Sequence, residues 1–138
     1  MRRAASDEDG GLDSMTKEIK GHIAIIDDDA LMQQSLEDCM ESAGFSVFSF
    51  GSAEDFLASS SAEGAACLIV DVQLPGINGL ELQGRLAGSD NRVPIVFVTA
   101  HGTNLNRERA VKHGAAGFLS KPVRREELLN AVVAAIQR

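Results

Sequence analysis

Short apolar runs rich in β-branched residues alternate along the chain with stretches in which apolar residues recur every three or four positions. This alternation predicts a parallel sheet whose strands are joined by crossover helices. The strands read as continuous apolar runs, which is typical of a sheet covered by helices on both faces. Their predicted ranges are about residues 22–27, 45–50, 67–71, 93–99 and 116–120. The pattern therefore predicts an α/β fold with five strands and five helices.

The predicted helices differ in how much apolar surface they carry. The fourth, roughly residues 104–113, is the most polar, and we expect it to be the least firmly packed. The last helix, after Arg124, carries more apolar surface than one sheet face needs, either as filler or as a partner-binding face. Asp29 is predicted to cap the first helix. The first four apolar stripes are Met32, Leu36, Cys39, Met40 and Ala43; Phe56 and Leu57; Leu82 and Leu86; and Leu105, Ala110 and Val111.

Residues 1–20 lack this periodicity and carry little apolar surface. We expect them to form a flexible N-terminal tail, with one folded domain over residues 21–138. No apolar run approaches the length of a membrane span, and the N-terminus lacks the hydrophobic segment of a signal peptide. The sequence therefore predicts a soluble, cytoplasmic protein without membrane contact.

Charge and cysteine content narrow the function classes. The 138 residues include 13 basic and 20 acidic residues, for a formal net charge of -7. This balance argues against direct nucleic-acid binding, which needs clustered basic residues. Cys39 and Cys67 lie inside apolar patterns without metal-ligand spacing, so we predict buried thiols in a reducing compartment.

Polar side chains follow four of the predicted strands. Asp27 and Asp28 come after the first strand, Asp71 ends the third, Thr99 ends the fourth and Lys121 follows the fifth. The carboxyl ends of parallel strands meet at one edge of the sheet, where ligands bind. Clustered carboxylates suit Mg²⁺, and an ammonium and a hydroxyl can bond phosphoryl oxygens. Each residue alone has an ordinary explanation as a cap, a turn or a surface residue, but together they predict a metal-assisted phosphoryl site.

From His22 to the C-terminus, the chain resembles the receiver domains of two-component response regulators. The motifs are Asp27-Asp28, Asp71 with Leu74-Pro75-Gly76 and Asn78-Gly79, Thr99-Ala100, and Lys121-Pro122, in the family's order. The resemblance implies a doubly wound, flavodoxin-like sheet with strand order 2-1-3-4-5. The motifs are most similar to those of receivers that are joined to helix-turn-helix output domains.

The resemblance also implies a phosphoacceptor and a metal site. Asp71 would take a phosphoryl group from a histidine kinase or a histidine phosphotransfer protein. Asp28, Asp71 and the backbone carbonyl of Gln73 would bind Mg²⁺ directly, and Asp27 would bind it through a water. Mn²⁺ could replace Mg²⁺ in this site.

Two donors and one aromatic residue complete the implied site. Lys121 would pair with one phosphoryl oxygen, and Thr99 would donate its hydroxyl to another. Movement of Thr99 toward Asp71 would leave space into which Phe118 can rotate. The family often has tyrosine at this position, and phenylalanine cannot hydrogen-bond when it turns outward. Simple core packing is the other interpretation of Phe118.

The resemblance further implies that the domain catalyses only its own phosphorylation and dephosphorylation, so it is not an ordinary enzyme. Gln73 and His101 lie two residues past Asp71 and Thr99. Their side chains would border the path of the attacking water and tune the lifetime of the phosphoryl group. The other interpretation of His101, which Gly102 after it favours, is an ordinary loop histidine.

Other functions are compatible with parts of this pattern. A phosphohydrolase of the haloacid dehalogenase type needs a second aspartate two residues after the nucleophile, where this chain has Gln73. A flavodoxin-like domain would need a phosphate loop after the first strand, but Asp27-Asp28-Asp29 would repel the phosphate of FMN. The stronger alternative is a receiver-fold interaction module that acts without phosphorylation.

The sequence ends one helix after the receiver pattern, so we expect either a single-domain regulator or a fragment without its output domain. For a single domain, the natural output surface is the fourth predicted helix, the fifth strand and the fifth predicted helix. This surface includes Asn106, Arg107, Arg109 and Phe118. We expect phosphorylation to change homodimerisation or target binding there.

Overall fold

A computed structural model of the chain describes residues 21–137. Its strands are β1 (His22–Ile26), β2 (Val47–Phe50), β3 (Ala65–Val70), β4 (Ile95–Thr99) and β5 (Gly117–Ser120). They form one parallel sheet in the order β2-β1-β3-β4-β5, which confirms the predicted fold class and strand order. The tail predicted over residues 1–20 lies outside the described residues.

Six helices connect and follow these strands within the described part of the chain, one more than predicted. They are α1 (Ala30–Ser42), α2 (Ala53–Ala58), α3 (Ser61–Gly64), α4 (Gly79–Gly88), α5 (Asn104–Lys112) and α6 (Arg125–Ile136). The additional helix is α3, whose four residues are too few to show a helical period. The predicted fourth and fifth helices are therefore α5 and α6. Among these described helices, none is long and apolar enough to cross a membrane.

Side-chain caps fix the starts of α1 and α2, just beyond the carboxyl ends of β1 and β2. The Asp29 carboxylate accepts the N–H groups of Leu31 at 3.0 Å and Met32 at 3.3 Å, which confirms the predicted cap. Ser52 Oγ accepts the N–H of Asp55 at 3.1 Å. Each bond satisfies a backbone donor that the first helical turn leaves without a partner.

The sheet separates two apolar cores. One core lies between the sheet and helices α1 and α6, and the other lies between the sheet and helices α2, α4 and α5. In β1, Ile23 and Ile25 enter the first core, whereas Ala24 and Ile26 enter the second, because successive strand residues point to opposite faces. Burial on both faces explains why the strands read as continuous apolar runs.

Helix α5 packs differently from its predicted apolar stripe. Ala110 is fully buried, but Leu105 is 56% exposed and Val111 is 58% exposed, so the three-residue stripe was wrong. The helix touches the second core through one small side chain and leaves the larger ones in solvent. A buried glutamine supplies further contacts, since Gln83 Nε2 of α4 donates to the carbonyls of Ala110 at 3.0 Å and His113 at 3.3 Å. Weak apolar packing of this helix was expected, and the structure confirms it.

The two cysteines differ in their burial. Cys67 is buried in β3, and burial raises the pKa of its thiol to about 12. Cys39 on α1 is only partly buried, although burial raises the pKa of its thiol as well. Both are free thiols. The prediction of buried thiols is thus confirmed for Cys67 and wrong in degree for Cys39, which lies at the edge of the first core.

Candidate functional site

The carboxyl ends of four neighbouring strands bring the predicted site residues together. Asp71 N–H donates to the carbonyl of Ile26 at 3.1 Å, and Lys121 N–H donates to the carbonyl of Thr99 at 2.9 Å, so the sheet pairing continues to the site. Four polar or charged residues are buried in the described part of the chain, and Asp27, Asp71 and Thr99 are three of them. The fold therefore concentrates its buried polar side chains at this edge.

Both carboxylate oxygens of Asp71 accept hydrogen bonds. Oδ1 accepts the Thr99 hydroxyl at 2.8 Å and the backbone N–H of Gln73 at 3.0 Å. Oδ2 accepts Lys121 Nζ at 2.9 Å. The same ammonium donates to Asp27 Oδ2, also at 2.9 Å. These bonds orient the Asp71 carboxylate and place a positive charge between two acids.

Burial and neighbouring charges shift the pKa values of this cluster in opposite directions. Burial by itself would lower the pKa of Lys121, but its bonds to Asp71 and Asp27 outweigh that effect, so the pKa is raised. Burial raises the pKa of Asp27, although the backbone N–H of Asp29, which donates at 2.9 Å, and the Lys121 ammonium oppose it. The ionised form of Asp27 therefore lacks some of the stabilisation that water would give it, and a cation beside it would restore that stabilisation.

Three carboxylates lie close enough together to bind one metal ion. Asp27, Asp28 and Asp71 place one carboxylate oxygen each within 4.8 Å of one another. Asp27 and Asp71 are buried, whereas Asp28 is exposed and leaves one side of the cluster open to solvent. Hard oxygen donors with room for water fit Mg²⁺, which keeps several waters when bound to proteins. The structure thus confirms the predicted acidic cluster that could bind a metal, while the identity of the metal stays a prediction.

The turn after Asp71 depends on two glycines. Gly76 has a φ of +71°, in the left-handed region that favours glycine. A Cβ on Gly79 would collide with the backbone carbonyl of Asp71, and Gly79 N–H donates to the carbonyl of Val72 at 2.9 Å. Asn78 then caps α4. The Pro-Gly and Asn-Gly pairs of the motif thus close a compact loop beside the phosphoacceptor candidate.

Phe118 points into the second core and lies under a cation. Its side chain is only 6% exposed, and its ring centroid lies 5.9 Å from that of Phe97. The Arg107 guanidinium of α5 lies 4.9 Å from the ring centroid, and its Nη1 donates to the Phe118 carbonyl at 3.3 Å. Thr99 bonds Asp71 while Phe118 packs in the core, and the switch role of the two residues stays a prediction.

The two residues with a predicted effect on phosphoryl lifetime lie at the rim of the site. The side chains of Gln73 and His101 are exposed. His101 N–H donates to Thr99 Oγ1 at 3.0 Å, and its carbonyl accepts Asn106 Nδ2 at 2.8 Å. Both residues therefore lie next to Asp71 and Thr99, and their effect on dephosphorylation stays a prediction.

Two contacts near the site were not predicted. Gln33 Nε2 donates to the backbone carbonyl of Asp27 at 2.6 Å, and Glu54 accepts the N–H of Ile77 at 3.0 Å. Both side chains belong to polar faces of their helices, where the sequence pattern gives no signal that distinguishes a bonded residue from a solvated one.

Comparison with known proteins agrees with the motif pattern. The sequence profile of the response regulator receiver domain matches residues 23–133. Nodulation protein W from Bradyrhizobium diazoefficiens is 43% identical over 129 residues, covering 94% of this chain and 56% of that protein. The transcriptional regulatory protein FixJ from the same organism is 39% identical over 119 residues, covering 86% of this chain and 58% of that protein.

A solved structure agrees as well. The response regulator StyR is similar at a TM-score of 0.77 and 38% identity, covering 86% of this chain and 60% of that one. The chain therefore spans little more than half the length of the relatives that it matches.

Proposed function

Because the chain belongs to the response regulator receiver domain family, we propose that Asp71 accepts a phosphoryl group from a histidine kinase or a histidine phosphotransfer protein. Receiver domains are signalling domains and not ordinary enzymes, and this one would modify only itself. The observation that carries the proposal is the bonding of Asp71, whose carboxylate contacts both the Thr99 hydroxyl and the Lys121 ammonium at the open edge of the sheet.

The chemistry requires a nucleophile and donors for the phosphoryl oxygens. A carboxylate oxygen of Asp71 would attack the phosphorus of a phosphohistidine, and the phosphorus–nitrogen bond would break with its electron pair passing to the histidine nitrogen. Lys121 Nζ and Thr99 Oγ1 lie 2.9 Å and 2.8 Å from the Asp71 oxygens. Small movements would let both donors bond the phosphoryl oxygens once these arrive.

The acidic cluster would supply the cation site for this reaction. We propose that Asp28, Asp71 and the backbone carbonyl of Gln73 bind Mg²⁺ directly, and that Asp27 binds it through a water. When bound, Mg²⁺ supplies positive charge for the oxygens of the transferred group, and Mn²⁺ could replace it. The raised pKa of buried Asp27 supports this role, because a nearby cation would favour its ionised form.

The output would be a shift between existing conformations. Thr99 already bonds Asp71, and Phe118 already points inward. Phosphorylation adds roughly -1.5 to -2 charge and three acceptor oxygens, which would stabilise this arrangement against one in which Phe118 turns outward. The surface of α5, β5 and α6 would then change its affinity for a partner, while Gln73 and His101 tune how long the phosphoryl group persists.

The test is phosphorylation of the purified chain by acetyl phosphate. With Mg²⁺ we expect a shifted band on a phosphate-affinity gel, and we expect EDTA to abolish the shift. Asp71→Asn should remove the shift, whereas Asp38→Asn, at an exposed position on α1, should retain it. A wild-type chain without a shift, or a shift that survives Asp71→Asn, would refute the proposal. The first result would favour a receiver-fold module that acts without phosphorylation.

A further inference from the structure

We propose that Glu54 is a positioning residue that fixes the loop after Asp71 and thereby strengthens cation binding at the acidic cluster. The inference rests on the proposed function, because that loop contains Gln73, the candidate carbonyl ligand. Glu54 lies in the first turn of α2, outside the motifs that resemble the family.

The contact joins two segments that are distant along the chain. Glu54 Oε2 accepts the backbone N–H of Ile77 at 3.0 Å, across a separation of 23 residues. The carboxylate also lies so close to Gly76 that a Cβ at that position would collide with it. The φ of Gly76, +71°, lies in the left-handed region that favours glycine, and the absence of a side chain lets the carboxylate approach without moving aside. Helix α2 and the tip of the loop are therefore closely fitted.

The loop is held at its start by Asp71 and at its end by the bond from Gly79 to Val72, and Glu54 restrains the tip between them. At its start, the N–H of Gln73 bonds Asp71 Oδ1 at 3.0 Å, and the next side chain, Leu74, is buried. Pro75 and Gly76 are exposed. The bond to Glu54 holds the segment that follows them. Without that bond, we expect the Gln73 peptide to sample orientations that no longer present its carbonyl to a cation, just as loss of an outer-shell partner loosens a metal ligand.

The charge of Glu54 suits this role at neutral pH. The bond from Ile77 lowers the pKa of Glu54, its own backbone N–H and Arg85 of α4 lower it further, and slight burial opposes them. The side chain is therefore ionised at neutral pH, and a carboxylate accepts a stronger hydrogen bond than a neutral group does. Because Glu54 is exposed, we expect its loss to affect the loop and not the stability of the whole domain.

The experiment compares Glu54→Ala, Glu54→Gln and the matched control Asp55→Asn, which alters the neighbouring exposed acid. Hydrogen exchange of the Ile77 amide, followed by NMR in metal-free protein, should accelerate about fivefold in Glu54→Ala. The dissociation constant for Mg²⁺, measured by calorimetry, should rise about tenfold, the low end for a residue that acts through the loop. Glu54→Gln keeps an oxygen acceptor but loses the charge, so both values should lie between those of wild type and Glu54→Ala. Asp55→Asn should change neither.

Wild-type Mg²⁺ affinity in Glu54→Ala, or equal losses in Glu54→Ala and Glu54→Gln, would overturn the proposal. Should the alanine variant not fold, Glu54→Asp replaces it, since its shorter side chain should also lose the Ile77 bond and weaken Mg²⁺ binding. Neither readout uses phosphorylation. A chain that takes no phosphoryl group from acetyl phosphate would therefore refute the proposed function while these measurements still decide the role of Glu54.

Discussion

At the residue scale, Asp27 is held in an environment that opposes its charge. Asp27 is 1% exposed. Within the described chain, its carboxylate accepts hydrogen bonds from the backbone N–H of Asp29 and from the Lys121 ammonium. Burial nevertheless raises its pKa from the ordinary value of 3.8. A group with a raised pKa binds its proton more tightly in the folded state, so stability falls as pH rises through that interval. The ionised carboxylate therefore destabilises the metal-free fold at neutral pH.

We predict that Asp27→Asn raises the free energy of unfolding of the metal-free protein at pH 7. The gain should disappear in acid, where wild-type Asp27 is protonated, and Mg²⁺ should stabilise the variant much less than the wild type. Urea denaturation with and without Mg²⁺ measures both effects. Asp29→Asn removes an equal charge but keeps a side chain that can cap α1, so it should retain the Mg²⁺ effect. A variant less stable than the metal-free wild type would contradict the argument.

The sequence predicted which residues meet at this edge of the sheet but not how they bond one another. The sequence predicts that Asp27, Asp71 and Lys121 lie close together, because parallel strands end at one edge of the sheet. The ammonium shared between both acids depends on side-chain conformations, which no spacing rule determines. Glu54 escaped prediction because its partner, Ile77, is 23 residues away and both side chains lie outside any apolar period.

At the element scale, α5 depends on polar bonds from α4. Gln83 is 5% exposed and donates to two carbonyls at the C-terminal end of α5. Ala110 is the buried side chain of this helix. With so little apolar packing, the position of α5 relative to the sheet should respond to the loss of a single polar partner.

We predict that Gln83→Leu lowers the free energy of unfolding by roughly 1 kcal/mol, because the Ala110 and His113 carbonyls lose a donor while the volume changes little. The loss is limited because Ala115 N–H still donates to the Ala110 carbonyl. Amide hydrogen exchange should accelerate mainly in α5. Gln34→Leu on α1 is the matched control, since that glutamine is exposed, and its cost should stay below about 0.5 kcal/mol. If the backbone amides of α5 exchange at the same rate in wild type and Gln83→Leu, the side-chain amide of Gln83 does not hold this helix.

Prediction succeeded where an element buries many side chains and failed where it buries few. The strands were found because both of their faces are apolar, whereas α3 buries no side chain and has only four residues. The stripe assigned to α5 failed because Leu105 and Val111 are exposed. The burial of Gln83 could have been predicted from the sequence, because this residue lies at helical spacing from Leu86 and next to Leu82, on the buried face of α4.

At the scale of the whole molecule, α5 gives an acidic protein a local basic surface. The formal net charge is -7, yet this helix carries Arg107, Arg109 and Lys112 against the single acid Glu108. Complementary charge favours an acidic partner or an acidic region of a second copy of the chain. The exposed Leu105 and Val111 add apolar area to the same helix.

We predict that beryllofluoride with Mg²⁺, which imitates the phosphoryl group, raises the self-association constant by about tenfold or more. Sedimentation analysis measures this change. Asp71→Asn should not respond, and Arg109→Glu should weaken association while leaving phosphorylation by acetyl phosphate intact. Identical association with and without beryllofluoride would exclude homodimerisation as the output and direct attention to a different partner.

The two cores on opposite faces of the sheet also differ in when they can be completed during synthesis. All buried residues of the core under α2, α4 and α5 lie between Ala24 and Phe118. The other core pairs Leu36 and Met40 of α1 with Leu128 and Val132 of α6. A ribosome adds about 5–20 residues per second, so the part of this core that α6 covers stays exposed for several seconds after α1 has been made. In the cell, this face of the nascent chain is the surface that a chaperone would protect.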